Sequence, residues 1–487
     1  MLTIRRLAVL LQRSGLPQIC CSRLPPAAIA RRTLPRRHLT TATPDTSEPE
    51  IPPKPTRTPP VAPPAPDASF ADLGVAETLC QNLLADGSIT EPSDFQRSVI
   101  PRLIRGQTMI ITAETGSGKT FAYLLPLLTR YLGPNGRHAR EEEKMNPLSP
   151  RILILVPNRE LCVQNLRVLH SLTAGMGITA TTFPPPPSVL LSALTNPDIV
   201  VTTAAALDRA CKSPKLINQF LARTQACVAD EADWIASDTV GLRILQHVSR
   251  VSKKRNQSAA IQFVFAAATL PPVLHKKSTT PREMIQRLFA SIHKVSSKHT
   301  HSPPRGLVEE FLPVVESSSR PLTLEEEDRV KCDALLALML ENAQKMAKDP
   351  EHADKKWIVF CNDSRRAKVV HAAVDAFAAS QSSPESGISI TCELLYGAKL
   401  TANERSEKVL EFVSAGTGPQ PPDERKFRVL VSTDLVARGV DFRDVTTVVQ
   451  VDFPLDASAY LHRVGRTARV GKQGRGKTCT LHKTALV

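Results

Sequence analysis

The octapeptide Ala113-Glu-Thr-Gly-Ser-Gly-Lys-Thr120 constrains this chain more than any other stretch. It lies between a β-branched run, Met109–Thr112, and a helical pattern over Phe121–Tyr131. Glycines at 116 and 118 let the backbone turn tightly and approach a ligand closely. The helix that follows points its free N–H groups back into the turn. A turn of this kind cradles phosphate oxygens, and it needs a strand behind it and a helix ahead of it to keep its shape.

Short apolar runs recur along the chain at spacings that leave room for a helix between them. Met109–Thr112, Ile152–Val156, Ile199–Thr202, Ala226–Ala229 and Gln262–Phe265 are expected to be buried parallel strands. Trp357–Phe360, Glu393–Tyr396, Val429–Ser432 and Val448–Val451 form a second series, with a further strand at Thr478–Leu481. A polar, Pro-containing stretch between the two series reads as a linker. The expected fold class is α/β, with two parallel-sheet domains in tandem. Gly133–Pro150, with its Glu141-Glu-Glu143 run, and Phe183–Pro187 read as surface loops without a function.

The acids of Asp230-Glu-Ala-Asp233 come where a strand ends, beside the phosphate turn in such a sheet. Ala113, Thr115, Gly116, Ser117 and Gly118 would line the phosphates, and Lys119 would reach the β and γ groups. The Thr120 hydroxyl and the Asp230 carboxylate would hold Mg²⁺, while Glu231 would orient and deprotonate a water.

Composition sets the outer limits. At 487 residues there is room for two or three cores. No apolar run approaches the roughly 18 residues of a membrane span, so no membrane insertion is expected. Ten scattered Cys without a C-x-x-C argue against a zinc site or a disulfide framework. The net charge of +15 is unevenly spread: residues 1–44 carry eight Arg and no Asp, Glu or Lys, and removing those eight leaves +7. An Arg-rich, acid-free segment with Ile4, Leu7, Leu10 and Leu11 on one helix face is expected to be a mitochondrial transit peptide. A basic, nucleic-acid-binding tail is the other reading. Ten Pro between Pro44 and Pro66 then predict a disordered spacer.

Taken in order, Ala113–Thr120, Asp230–Asp233, Arg438-Gly-Val-Asp441 and His462-Arg-Val-Gly-Arg-Thr-Ala-Arg469 resemble the DEAD-box RNA helicase family of superfamily 2, from about Phe70 onward. The resemblance implies two RecA-like domains and a division into 1–44 transit peptide, 45–67 Pro-rich spacer, 68–298 ATP-binding domain, 299–327 linker and 328–487 C-terminal domain. It implies ATP and Mg²⁺ as cofactors, RNA as partner and a monomer. Gln96, in Pro92-Ser-Asp-Phe-Gln96, matches the adenine-reading amide, with Phe70 as its distant aromatic; a plain capping Gln stays open. Arg466 and Arg469 match two arginine fingers, His462 a link from the acids to the coupling element, and Asp441 a ribose contact; Tyr460 precedes the last motif as expected. Arg159, Thr203 and Thr433 match RNA-backbone contacts, and Gly397 and Arg405 fall near another. With 4% aromatics, no base-stacking platform is expected.

Departures fall on the RNA and coupling side. Thr203-Ala-Ala-Ala206 stands where the family has Thr-Pro-Gly-Arg, and Ala267-Ala-Thr269 where it has Ser-Ala-Thr. Pro184–Pro187 occupies the region of the family's paired glycines. These losses keep a second reading open beside the helicase, an ATP-gated RNA clamp or ribosome-assembly scaffold that does not unwind. A processive DNA helicase fits Asp233 and Gln96 less well. The layout is similar to fungal mitochondrial members that assemble the large ribosomal subunit. Mitochondrial ribosomal RNA and pre-ribosomal particles, in the matrix, are therefore the expected partners.

Overall fold

The computed structural model describes residues 65, 67–85, 89–132, 149–183, 197–256, 260–270, 280–289, 292–297, 303–304, 306–314, 322–349, 352–381, 388–395, 408–409, 411–412, 425–434, 442, 444–468 and 473–481. The leader and spacer before residue 65, Pro184–Pro187, Gly397, Arg405, Asp441 and Arg469 lie outside them.

Among the described residues the first domain is a seven-stranded sheet. Its strands are β1 (Met109–Thr112), β2 (Ile152–Val156), β3 (Ala180–Thr182), β4 (Ile199–Thr203), β5 (Ala226–Asp230), β6 (Gln262–Ala267) and β7 (His293–Ser296). They lie in the order β3-β4-β2-β5-β6-β1-β7, every pair parallel. Its helices are α1 (Glu77–Ala85), α2 (Asp94–Ile104), α3 (Lys119–Leu132), α4 (Arg159–Leu172), α5 (Ala204–Ala210), α6 (Pro214–Phe220), α7 (Ala232–Ser237), α8 (Thr239–Lys253) and α9 (Pro281–Leu288). Successive side chains of the central strands alternate between two cores. Met109, Ile111, Ile154, Val228 and Val264 pack into one, and Ile110, Leu153, Leu155, Phe263 and Phe265 into the other. Both faces are covered, so the strands carry almost unbroken apolar runs.

The second domain repeats the plan with, among the described residues, six parallel strands: β8 (Leu307–Val314), β9 (Lys356–Cys361), β10 (Ile388–Leu395), β11 (Arg425–Thr433), β12 (Thr447–Gln450) and β13 (Gly474–Leu481), ordered β10-β11-β9-β12-β13-β8. Its helices are α10 (Leu324–Lys348), α11 (Ser364–Gln381) and α12 (Ala457–Val464). Trp357, Val359, Val429 and Val431 face one core; Ile358, Phe360, Leu430 and Val448 face the other.

The stretch 299–327, read above as a linker, contains β8, which pairs with β13 at the edge of the second sheet. It escapes a hydrophobic reading because it is an edge strand with Glu309 and Glu310 facing solvent and Pro313 near its end. The same stretch also holds the start of α10, capped by a reciprocal Thr323–Glu326 box.

Parallel strands put their carboxyl ends on one edge, where ligands bind in open α/β sheets. In the first domain that edge carries Thr112, Val156, Thr203, Asp230 and Ala267. Every motif singled out above for that domain, except Gln96, therefore starts from the same rim.

Candidate nucleotide site at the domain seam

The loop after β1 closes with Gly116 at φ 83° and Gly118 at φ 81°, left-handed conformations that favour glycine. A Cβ on Gly118 would also lie 2.4 Å from Gln96 Nε2. Gln96 does two jobs at that contact. Its Oε1 accepts from Ser93 N (2.9 Å) in the capping box that starts α2, and its Nε2 donates to Gly118 O (3.2 Å). Gln96 is thus a capping residue that also touches the loop after β1. Phe70 is packed into the core, 5% exposed.

Lys119 opens α3 and is buried; its Nζ donates to Ala113 O (2.7 Å) and Glu114 O (3.0 Å). Burial pulls its ammonium below the ordinary lysine range. The Glu231 and Asp230 carboxylates act against that, and the Arg466 guanidinium adds to it. The arginine of the second domain is thus already within electrostatic reach of the phosphate-loop lysine.

Asp230 ends β5 in a buried position, and its carboxyl is pushed up to about 6, first by burial and next by neighbouring Glu231. Tyr123, fully buried on α3, donates toward its Oδ2 (3.0 Å) and also lies 3.0 Å from Asn165 Oδ1 on α4. Thr120, one turn before Tyr123, acts on the same phenol and counters part of the upward pull on it. The Thr120 hydroxyl and the Asp230 carboxylate therefore converge. An all-oxygen pair beside two crowded, buried acids suits Mg²⁺, a hard cation whose charge would ease that crowding.

Glu231 sits in a left-handed conformation (φ 53°), which non-glycine residues adopt at a cost of about 1–3 kcal/mol. Its own N–H donates to Asp230 Oδ1 (3.1 Å). This sharp strand-to-helix turn aims the Glu231 carboxylate at the second domain. There His462 lies between two carboxylates, with Nε2 3.3 Å from Asp233 Oδ2 and Nδ1 3.8 Å from Glu231 Oε2. Among the described residues these three could also be grouped as metal ligands. The ring turns a different nitrogen to each acid, and only the Asp233 contact is within hydrogen-bond distance; Nδ1 and Glu231 Oε2 are buried with no hydrogen-bond partner.

All the second-domain groups here come from α12 and the turn after it. Asp456 caps α12 by accepting from Ala459 N (2.7 Å). Ser458 and His462, four residues apart, share one face of that helix. Ser458 Oγ is 2.6 Å from Thr269 Oγ1, Thr115 Oγ1 donates to Gly465 O (3.1 Å), and Arg466 Nε donates to His462 O (3.0 Å). Gly465 has to be glycine, since a Cβ would lie 2.2 Å from Thr115 Oγ1 and 2.8 Å from Leu461 O.

The RNA-side residues are arranged more loosely. Arg159 is exposed at the start of α4, just after the Asn158 cap. Thr203 caps α5 by accepting from Ala206 N (3.1 Å), and its O–H stays able to donate outward. Thr433 ends β11, half-buried. Next to it, Asp434 takes a two-pronged ion pair from Arg463 (2.7 and 2.6 Å). Arg463 is wholly buried, and it also donates to Asn362 Oδ1 and Asp452 O.

Four contributors were missed by reading the sequence: Tyr123, Asn165, Arg463 and Ser458. Two left a usable signal, because Tyr123 lies four residues after Lys119 and Ser458 four before His462, each on the helix face of its partner. Arg463 lies inside His462–Arg469, and nothing local in that string marks it as the partner of Asp434.

The family model described as "DEAD/DEAH box helicase" matches residues 93–276, and that described as "Helicase conserved C-terminal domain" matches 331–471. The DEAD-box ATP-dependent RNA helicase 50 of Arabidopsis thaliana is 28% identical over 424 residues, covering 84% of this chain and 47% of that protein. The ATP-dependent RNA helicase dbp8 of Aspergillus niger is 27% identical over 417 residues, 84% of this chain and 68% of its own length. Among solved structures, Mss116p bound to ssRNA and AMP-PNP superposes with a TM-score of 0.65 at 19% identity, covering 85% of this chain and 75% of its own. A Leu-to-Val variant of S. cerevisiae Dbp5 bound to RNA and ADP BeF3 gives 0.61 at 21% identity, covering 85% and 90%. At such identities the structural likeness is one of fold.

Proposed function

Because this chain belongs to the DEAD-box family of ATP-dependent RNA helicases, we propose that it hydrolyses ATP when RNA is bound and uses the cycle to unwind or remodel that RNA. The observation that carries this reading is the seam itself. Acids and phosphate loop come from one domain, guanidinium and imidazole from the other, and they already meet at Asp233–His462 and Thr115–Gly465.

In this reading the N–H groups of 113–118 and Lys119 hold the triphosphate. Thr120 and Asp230 would hold Mg²⁺, which would offset phosphate charge. Glu231 orients and deprotonates the attacking water. Arg466, with Arg469 matched by motif, stabilises the charge that develops on the leaving phosphates. Neither half site is complete alone, so closure of the domains switches turnover on. Arg159, Thr203 and Thr433 grip the RNA backbone, which makes selectivity for sequence low.

The acid-free, Arg-rich leader supports import into the mitochondrial matrix, where ribosomal RNA and pre-ribosomal particles are the substrate class. A fluorescent fusion of residues 1–44 should co-localise with mitochondria, and a diffuse cytosolic signal would end that part of the proposal. Ala267 and Ala204–Ala206 favour the second reading, a clamp that turns over ATP without separating strands.

One preparation decides between them. Wild-type protein should show RNA-stimulated ATP turnover, and Lys119→Ala should lose it by at least about a hundredfold. Unchanged turnover in Lys119→Ala would refute the phosphate-loop assignment. Displacement of a short RNA duplex at low salt selects the helicase, whereas turnover without displacement selects the clamp.

A further inference from the structure

We infer that Ser458, on the second domain, is the positioning residue that supplies to the Asp233 end of the seam a hydroxyl that the first domain lacks. The first domain's carboxyl rim offers one side-chain hydroxyl after β6, that of Thr269, because positions 267 and 268 are both alanine and both buried. Ser458 Oγ is 2.6 Å from Thr269 Oγ1 and 3.4 Å from Asp233 Oδ2. The first is a short hydroxyl pair; the second is longer than an ordinary O–H···O bond. A serine has a single proton to give. The polarity consistent with both contacts runs from Thr269 O–H to Ser458 oxygen, and from Ser458 O–H to the Asp233 carboxylate.

Asp233 Oδ2 then takes two donors from one helix face of the other domain, Ser458 and His462. The pair spans one turn of α12, so seating one seats the other. His462 in turn faces Glu231, which the proposed function makes the base. Ser458 therefore bears on the position of Glu231 through Asp233 and His462 without touching the nucleotide itself. The contact exists only when the domains are together, so its free energy appears in closure. Ser458 is half-buried on a surface helix, and its removal leaves no core cavity.

This inference rests on the proposed function, and its test separates the two. With the full-length chain, the affinity for a fluorescent single-stranded RNA is measured with and without a non-hydrolysable ATP analogue, and the ratio is the coupling. RNA-stimulated kcat and the KM for RNA are measured alongside. Ser458→Ala should lower the coupling and kcat together by roughly five- to tenfold, the effect of one net hydrogen bond. Nucleotide affinity without RNA should stay where it is. Ser458→Thr, which keeps the hydroxyl, should stay within about twofold of wild type.

Coupling in Ser458→Ala equal to wild type overturns the inference while leaving the ATPase reading intact. A Ser458→Thr variant as impaired as Ser458→Ala also overturns it, because the hydroxyl would then not be what matters. A wild-type chain without RNA-stimulated turnover overturns the parent reading and takes this one with it.

Discussion

The two sides of the cleft are built differently. On the nucleotide side the domains are hydrogen-bonded to each other, the Thr115 hydroxyl to the Gly465 carbonyl and side chain to side chain at Thr269–Ser458 and Asp233–His462. On the RNA side, Arg159, Thr203 and Thr433 lie at the ends of their own elements, and among the described residues no hydrogen bond joins them across the gap. One side is tied together by contacts between the domains. The other, in the proposed reading, would be bridged by the RNA itself. The chain's departures from its family follow the same division, since every loop residue around the phosphates is present while Ala204–Ala206 and Ala267 fall on the RNA and coupling side. Turnover of ATP should therefore be robust, and the grip on RNA should be what limits work on a duplex.

Arg463 is where the two sides join, and it sharpens the comparison most. It lies on α12 between the seam residues, yet its guanidinium holds Asp434, next to the RNA-side Thr433. Removing one partner of a buried pair costs roughly 3–5 kcal/mol. The lower end applies because the Asp434 side chain is 36% exposed and regains water. Arg463→Ala should lower the unfolding free energy of the second domain by about 3 kcal/mol and weaken ATP turnover and RNA binding together. A denaturant titration reads the first and a filter assay the second. A variant that loses only one of the two activities would mean that the sides are not mechanically joined there.

Gly465→Ala attacks the nucleotide side alone. The added methyl meets the Thr115 side chain and the Leu461 carbonyl, so the domains cannot approach to their present distance. A misplacement of about 1 Å at a reacting centre costs on the order of a hundredfold. RNA-stimulated turnover should fall by about that factor, while RNA binding without nucleotide stays near wild type. Stopped turnover with unchanged free-state RNA affinity keeps the two sides distinct. Unimpaired turnover would show that α12 does not seat against the phosphate loop during the cycle.

The parts legible in the sequence were those under strong local constraint. Strands covered on both faces must be apolar at nearly every position, which is why Ile152–Val156 and Ala226–Ala229 are visible in the sequence. Gly116 and Gly118 were visible because their backbone angles exclude most other residues. Edge strands carry no such constraint: Ala180–Thr182 and His293–Ser296 are short and half-buried, and β8 exposes Val308 and Phe311. Contacts across the seam were hardest to read. Ser458 meets Thr269 from 189 positions away, and nothing in the neighbourhood of either residue announces the other. Gln96 shows how one residue can serve two elements, since a single amide caps its own helix and reaches the loop after β1 with its other end.

The smallest effect tests the RNA side by repairing it. Three alanines start α5 directly at the Thr203 cap, and the backbone N–H of Ala206, not its side chain, makes the capping bond. Ala206 is half-buried at the sheet rim, so a longer side chain can grow outward without breaking that cap. Ala206→Arg would place a guanidinium where the family has one. A single added phosphate contact should tighten single-stranded RNA several-fold and steepen the dependence of log affinity on log salt by about 0.7. ATP turnover at saturating RNA should not change, because no nucleotide-side contact is touched. If duplex displacement rises with RNA affinity while saturated turnover stays level, the weak grip is what separates hydrolysis from unwinding in this chain. If displacement stays flat while RNA binds more tightly, the limit lies in the Ala267–Ser458 coupling and not in the grip.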